Sequence, residues 1–147
     1  MLCLPACQEE CGEAQTNLIK VQFVNNLTQE ADSVSLILVQ GIGALGDSIL
    51  YGPNTLSLIQ LPVSLAQDTI RFLIRRRLGA VVIDDSLALS YRRRLAIIRP
   101  ECGLSVDISD LQILPEGTTF EQFNITQDVL QNEDSPVNIQ LFVDTDN

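Results

Sequence analysis

Arginine is the residue type in this sequence whose number and spacing most directly suggest chemistry. Eight of the nine basic residues are arginines, and six of them form two triplets, Arg75-Arg76-Arg77 and Arg92-Arg93-Arg94. Guanidinium groups bind phosphate, sulfate and carboxylate through paired hydrogen bonds, so the triplets together with Arg71 predict an anion-binding patch. The alternative is a set of solvated arginines in surface ion pairs, each contributing little to stability.

The two arginine triplets also limit where the chain can turn between them. A hairpin that turned at Asp84-Asp85 would place the triplets directly opposite each other, and like charges facing across strands are destabilising. The chain must therefore turn elsewhere, with Leu78-Gly79 as the other candidate, or the guanidinium groups must be partnered by carboxylates.

The first residues have the form of a site of lipid attachment. Leu4-Pro5-Ala6-Cys7 matches a bacterial lipobox, in which a peptidase cuts after a small residue and the following cysteine, here Cys7, receives lipid. The segment before it is shorter than the apolar run of about 7–15 residues in a signal peptide. We therefore expect residues 1–6 to be the remnant of a truncated signal peptide and residues 7–17 to be a lipidated tether.

The other cysteines fit an exported protein. Cleavage before Cys7 would remove Cys3 and leave Cys11 and Cys102 as candidates for one disulfide, which an oxidising compartment would keep. A metal site built from Cys7, Cys11 and Cys102 is the competing interpretation, and the lack of histidine disfavours it.

Composition argues against several classes of function. The 147-residue chain has no histidine, which removes the commonest general base and the Ser-His and Cys-His dyads, so we expect no enzyme. Nineteen acidic against nine basic residues give a net charge of −10, which disfavours nucleic acid as a partner. Five phenylalanines, two tyrosines and no tryptophan leave little for stacking against sugars.

The carboxylates do not form a recognisable metal site. Asp84-Asp85, Asp107 with Asp110, and Asp144 with Asp146 lie close in sequence, but none has the ligand spacing of a calcium-binding loop. We interpret them as solvated acids and expect neither a metal nor a cofactor.

The run Gly41-Ile42-Gly43-Ala44-Leu45-Gly46 matches the G-x-G-x-x-G fingerprint of dinucleotide-binding proteins. That fingerprint works only where a helix starts at the glycines and its amides hold the pyrophosphate. Gly52-Pro53 would end such a helix after about one turn. We therefore interpret the run as a hairpin connection whose glycines supply positive φ angles.

Apolar and polar residues mostly alternate, with turn residues at short intervals, which is typical of β-strands. About nine short strands fit this pattern: 18–24, 34–40, 47–51, 55–61, 69–75, 86–92 continued by 94–98, 104–108, 118–125 and 137–143. Only 62–67 and 127–132 could hold a helical turn. The pattern predicts one all-β domain over residues 18–144, an antiparallel two-sheet β-sandwich of Ig-like or related topology.

The order of several short segments resembles that in a family of small Bacteroidetes lipoproteins with no assigned activity. Its members combine a lipobox and a nearby cysteine with a strand, a Leu-Pro pair, an aspartate-strand-tyrosine segment and a late Cys-Gly. The corresponding segments here are Cys7 and Cys11, Ile19–Phe23, Leu61-Pro62, Asp85–Tyr91, Pro100–Gly103, Thr119-Phe120 and Asn138-Ile139. The resemblance implies an exported, lipid-anchored domain with a disulfide between Cys11 and Cys102, and it implies no activity.

These features predict a non-catalytic structural or protein-binding module of the cell envelope. It would be held to the membrane by its N-terminal lipid, face the periplasm and meet an envelope protein through a sheet edge or an apolar patch. The alternative is a module that binds an anionic glycan or lipid headgroup through Arg71, Arg75, Arg76, Arg77, Arg92, Arg93 and Arg94.

Overall fold

The structure is a computed structural model that describes residues 18–43, 47–64, 66–99, 103–130 and 137–145. These residues form ten strands and one short 3₁₀-helix, Pro115–Gly117. The strands are β1 (Leu18–Asn25), β2 (Val34–Ile42), β3 (Ile49–Tyr51), β4 (Asn54–Leu56), β5 (Leu58–Pro62), β6 (Thr69–Leu78), β7 (Val81–Arg99), β8 (Gly103–Ile113), β9 (Gln122–Ile125) and β10 (Ile139–Val143).

The strands pair into two sheets that pack face to face, which confirms the predicted all-β sandwich. The first sheet has the order β5-β1-β10-β9, and the second has the order β3-β2-β6-β7-β8, with β4 also pairing with β2. Neighbouring strands are antiparallel except for β1 and β10, which run parallel.

Period-two alternation places one face of each long strand in the core. Ile19, Val21 and Phe23 of β1 are fully buried, as are Phe72 and Ile74 of β6, while the residues between them are more exposed. Fully burying side chains of this kind contributes about 1.5–3 kcal/mol each, and this contact holds the two sheets together.

Two of the predicted strands are organised differently in the structure. The run 55–61 divides at Ser57, so that β4 lies in the second sheet and β5 in the first. The Ser57 carbonyl accepts a hydrogen bond from Phe23 N–H at 2.8 Å, which fixes this crossing. The runs 86–92 and 94–98 form one strand, β7, in agreement with the predicted continuation, but this strand already starts at Val81. β6 pairs with its first half and β8 with its second.

The predicted strand 118–125 is reduced to β9, and the predicted helical turns at 62–67 and 127–132 are not found in the parts of those segments that the structure describes. Thr118 and Thr119 instead cover the open edge of β7, where their hydroxyls accept hydrogen bonds from Ala88 N–H and Ser86 N–H. The helical turn that does form begins at Pro115, whose fixed φ suits the first helical position.

The sandwich has two distinct ends. At one end, here called the tip end, β1 finishes and the β6–β7 hairpin turns at Gly79-Ala80. At the other, the ribbon end, β1 begins, and β7 continues beyond Tyr91 paired with β8 alone. β7 is therefore the strand that runs from one end of the molecule to the other.

Candidate functional site

The structure does not bring the seven arginines of the predicted anion-binding patch together. Three of them lie on the outer face of β6, and the fourth arginine of that strand, Arg76, lies on the inner face and is buried. On β7, Arg92 and Arg94 are exposed and Arg93 is half-buried. The three outer-face residues are Arg71, Arg75 and Arg77.

The hairpin register explains why the triplets do not face each other. Of the two turn positions considered, the chain does not turn at Asp84-Asp85; it turns at Gly79-Ala80, between the paired residues Leu78 and Val81 and one residue beyond the other candidate, Leu78-Gly79. Gly79 has a φ of 61°, a left-handed value that glycine adopts without a steric cost. Asp84 therefore lies directly opposite Arg75, and the two carboxylates become partners of the first triplet.

Four of the seven arginines form ion pairs with aspartates. The pairs are Arg75–Asp84 at 2.7 Å, Arg76–Asp85 at 3.1 Å, Arg92–Asp110 at 3.4 Å and Arg93–Asp68 at 2.7 Å. Arg71, Arg77 and Arg94 are exposed and form no ion pair with any residue that the structure describes.

The Arg75–Asp84 pair is bidentate and faces solvent. Arg75 Nε donates to Asp84 Oδ1 at 2.7 Å, and Nη2 donates to Oδ2 at 3.1 Å. The hydrogen bond between them lowers the pKa of Asp84 and raises that of Arg75, because it favours the charged form of each group. Solvent screening keeps the contribution of such a pair to stability small.

The Arg76–Asp85 pair is buried at the tip end, where the core meets solvent. Each residue is 8% exposed. Arg76 Nη1 also donates to the Asp144 carbonyl at 3.4 Å, and Asp85 Oδ1 accepts a hydrogen bond from the Thr119 hydroxyl at 2.8 Å. The pair thus connects the β6–β7 hairpin to the chain that follows β10 and to the segment that precedes β9.

A cleft of about 510 Å³ opens beside this buried pair. Its lining comes from five separate parts of the chain, so no local sequence pattern could have revealed it. Arg76 and Asp85 belong to the lining, and its other residues are Asn26, Thr119, Phe120, Glu121, Gln122, Phe142, Val143 and Asp144.

The turn of the β6–β7 hairpin is apolar and exposed. From Leu78 to Ile83 the sequence is Leu-Gly-Ala-Val-Val-Ile, with no charged or polar side chain, and we call these six residues the hairpin tip. Val81 is 60% exposed and Val82 is 49% exposed. This segment was not predicted as a site, although the uncharged run around a glycine between Arg77 and Asp84 is visible in the sequence.

The ribbon end is fixed by polar contacts that reach into the core. The buried Tyr91 hydroxyl donates to the Ser64 carbonyl at 2.8 Å and accepts from Ser64 N–H at 2.9 Å. Burial raises the pKa of Tyr91. Asn138, which is fully buried, accepts a hydrogen bond from Lys20 N–H at 2.9 Å and donates to the Gln127 and Val129 carbonyls.

The remaining sequence predictions concern the glycine run, metal binding and the cysteines. Gly43, with a φ of 74°, follows β2 in the connection to β3, which agrees with the predicted hairpin connection, whereas Gly41 lies within β2 and has no positive φ. No three metal-ligating side chains cluster among the residues described, and no helix in that part of the chain is long and apolar enough to cross a membrane. Cys3, Cys7, Cys11 and Cys102 lie outside the described residues.

Comparison of the chain with protein-family models, with curated protein sequences and with solved structures gave no match.

Proposed function

We propose that this chain is an exported, lipid-anchored, non-catalytic module of the cell envelope that binds an envelope protein through its hairpin tip. The observation that carries the proposal is the exposure of Val81 and Val82 within an uncharged run of six residues. Turns between strands are ordinarily built from polar residues and glycine, and clustered exposed apolar side chains are typical of interaction sites.

The opposite end of the sandwich would hold the anchor. β1 begins at the ribbon end, so a lipid on Cys7 would hold that end near the membrane and direct the hairpin tip into the periplasm. The choice of Cys7 rests on the lipobox and on the resemblance to the Bacteroidetes lipoproteins.

A disulfide between Cys11 and Cys102 is compatible with this placement. Cys102 directly precedes β8, and β7 continues for eight residues after Tyr91, to Arg99, a length of about 26 Å. Cys11 precedes Leu18 by seven residues, which can span about 23 Å when extended. The two chain segments start from the same end of the sandwich and have similar reach.

Site-specific photocrosslinking in the native envelope tests the hairpin tip. A photoreactive amino acid at position 81 should give one adduct with an envelope protein, and the same label at Ile49, which is 66% exposed on the short edge strand β3, should not. Val82→Asp should abolish the adduct, whereas Val82→Thr, which keeps the shape of the side chain, should weaken it less. Serine substitution of Arg75 and Arg77 should leave it unchanged.

Three results would contradict the proposed partner. Equal labelling from positions 81 and 49 would show that the tip has no selective contact, and an adduct that survives Val82→Asp would place the contact elsewhere. An adduct between two copies of this chain would replace the envelope protein with self-association.

Mass spectrometry of the exported protein tests the anchor and the disulfide. The N-terminal peptide should begin at Cys7 and carry a diacylglyceryl group, and Cys11 and Cys102 should be joined. A mature chain recovered from the cytosol, or one with free thiols at both positions, would overturn these two assignments without bearing on the hairpin tip.

A second candidate is binding of an anionic glycan or headgroup along the outer face of β6. The observation that favours it is that Arg71 and Arg77 share this exposed face with Arg75 and form no ion pair among the described residues. Binding to dextran sulfate should then fall in the Arg71→Ser, Arg77→Ser double variant. Equal binding by the parent chain and this variant would exclude the arrangement.

A further inference from the structure

The cleft beside the Arg76–Asp85 pair is a candidate ligand site that is independent of the hairpin tip. Its volume of about 510 Å³ falls within the range of about 300–1,000 Å³ that small-molecule sites occupy. Residues from the first turn after β1, the β6–β7 hairpin, the segment before β9 and the end of β10 converge on it. It is therefore held by both sheets, as a preformed site must be.

Arg76 supplies hydrogen-bond donors at the inner wall of the cleft. More than nine tenths of the residue is buried, and its Nε and Nη1 atoms are engaged by Asp85 and by the Asp144 carbonyl. Its Nη2 atom forms no hydrogen bond with any described residue, and no side-chain atom within that set is both buried and unsatisfied. The Nη2 atom therefore keeps some exposure to solvent, and Arg76 is among the residues that line the cleft.

Glu121 and Asp144 supply acceptors at the rim. Both carboxylates are exposed, and neither forms an ion pair within the ranges that the structure describes. Asn26 and Gln122 also line the cleft, and their side-chain amides can donate or accept.

Because donors and acceptors of both charges line the cleft, they limit which class of ligand it can bind. An anion would meet the two rim carboxylates, and an ammonium group would approach the guanidinium of Arg76. A neutral hydroxyl can accept from Arg76 and donate to a carboxylate at the same time. We propose that the cleft binds a neutral saccharide, with its hydroxyls bridging Arg76 to Glu121 and Asp144.

An NMR titration of the full chain with cellobiose, maltose and diacetylchitobiose tests the proposal. At least one of these sugars should shift the amide signals of residues lining the cleft in a saturable way. Glu121→Ala and Asp144→Ala should each weaken binding about fivefold, as expected for the loss of one hydrogen bond. Glu116→Ala, which removes an exposed carboxylate on the 3₁₀-helix, should leave the affinity unchanged.

The titration can also overturn the proposal. The absence of a saturable shift with all three sugars would do so, as would affinities that neither cleft variant changes. Preferential binding of glucuronate would indicate an anion site, and preferential binding of lysyl-lysine would indicate a site for a basic peptide. Because both substitutions are on the surface, an unchanged far-UV circular dichroism spectrum would exclude unfolding as the cause of lost binding.

Discussion

Arg76 and Asp85 form their ion pair diagonally across the β6–β7 ladder. Arg76 lies directly opposite Ile83, and Asp85 lies directly opposite Ile74, yet Arg76 Nε is 3.1 Å from Asp85 Oδ2. The pair occupies the inner face of the sheet, next to the fully buried Ile74. Removing one partner would leave the other as an uncompensated charge in a site that is largely shielded from water.

Arg76→Met should therefore lower the free energy of unfolding by about 3 kcal/mol. The double variant Arg76→Met, Asp85→Leu should recover most of this loss, because it removes both charges and fills the space with apolar groups. Urea denaturation of the three chains measures the effect. Arg75→Met, which breaks the exposed pair with Asp84, is the control and should cost far less; equal losses from Arg76→Met and Arg75→Met would contradict the assignment.

Tyr91 should make the domain sensitive to alkaline pH. Burial raises its pKa above the ordinary value of 10.0, so the neutral phenol is the form that the fold favours. The stability it contributes is fully present below pH 10 and is lost as the pH rises through the higher pKa of the folded state. Because Tyr51 also contributes to the phenolate absorbance, Tyr91→Phe should remove about half of the signal, and the half it removes should be the part that appears at the higher pH. Loss of signal without any change in the midpoint or shape of the titration curve would refute this.

Asn138→Ala should destabilise the ribbon end by about 3 kcal/mol. The substitution removes the acceptor for Lys20 N–H and the donor to the Gln127 and Val129 carbonyls, which leaves three partly buried backbone groups without this partner. Thermal unfolding followed by circular dichroism measures the loss. Asn124→Ala, at an exposed position on β9, is the matched control and should stay within about 0.5 kcal/mol of the parent chain.

Gly117→Ala should also be destabilising, for a steric reason. A Cβ atom at this position would lie 2.6 Å from the Cβ of Ala88, which belongs to β7 and cannot move away without distorting the sheet. The expected cost is about 1–3 kcal/mol in chemical denaturation. Gly52→Ala introduces the same methyl group where no atom lies within 4 Å, so a comparable loss there would show that the clash is not the cause.

The alternation of apolar and polar residues was sufficient to predict the sandwich, because it identifies the face of each strand that is buried in the core. It was insufficient at Ser57, where the chain changes sheets, since both halves of the run 55–61 look like strand. It predicted that 94–98 continues the strand 86–92, but not that this strand starts as early as Val81 or that its two halves are paired by different neighbours.

The candidate sites depended on tertiary information to different degrees. The spacing of the arginine triplets left two candidate positions for the turn between them, and one of these, Leu78-Gly79, contains the glycine at which the chain turns. The alternation that turns Ile70, Phe72 and Ile74 inward continues to Arg76, but the predicted strand ended at Arg75, so the burial of Arg76 was not predicted. The cleft could not be predicted at all, because residues as far apart in sequence as Asn26 and Asp144 meet there.

The continuity of β7 has a mechanical consequence. Its first half is bonded to β6 and its second half to β8, and ladder hydrogen bonds lie across the strand direction. A pull applied between the two ends of the molecule would therefore load these bonds together in shear, rather than opening them one after another. β7 would therefore transmit a tensile force from one end of the molecule to the other.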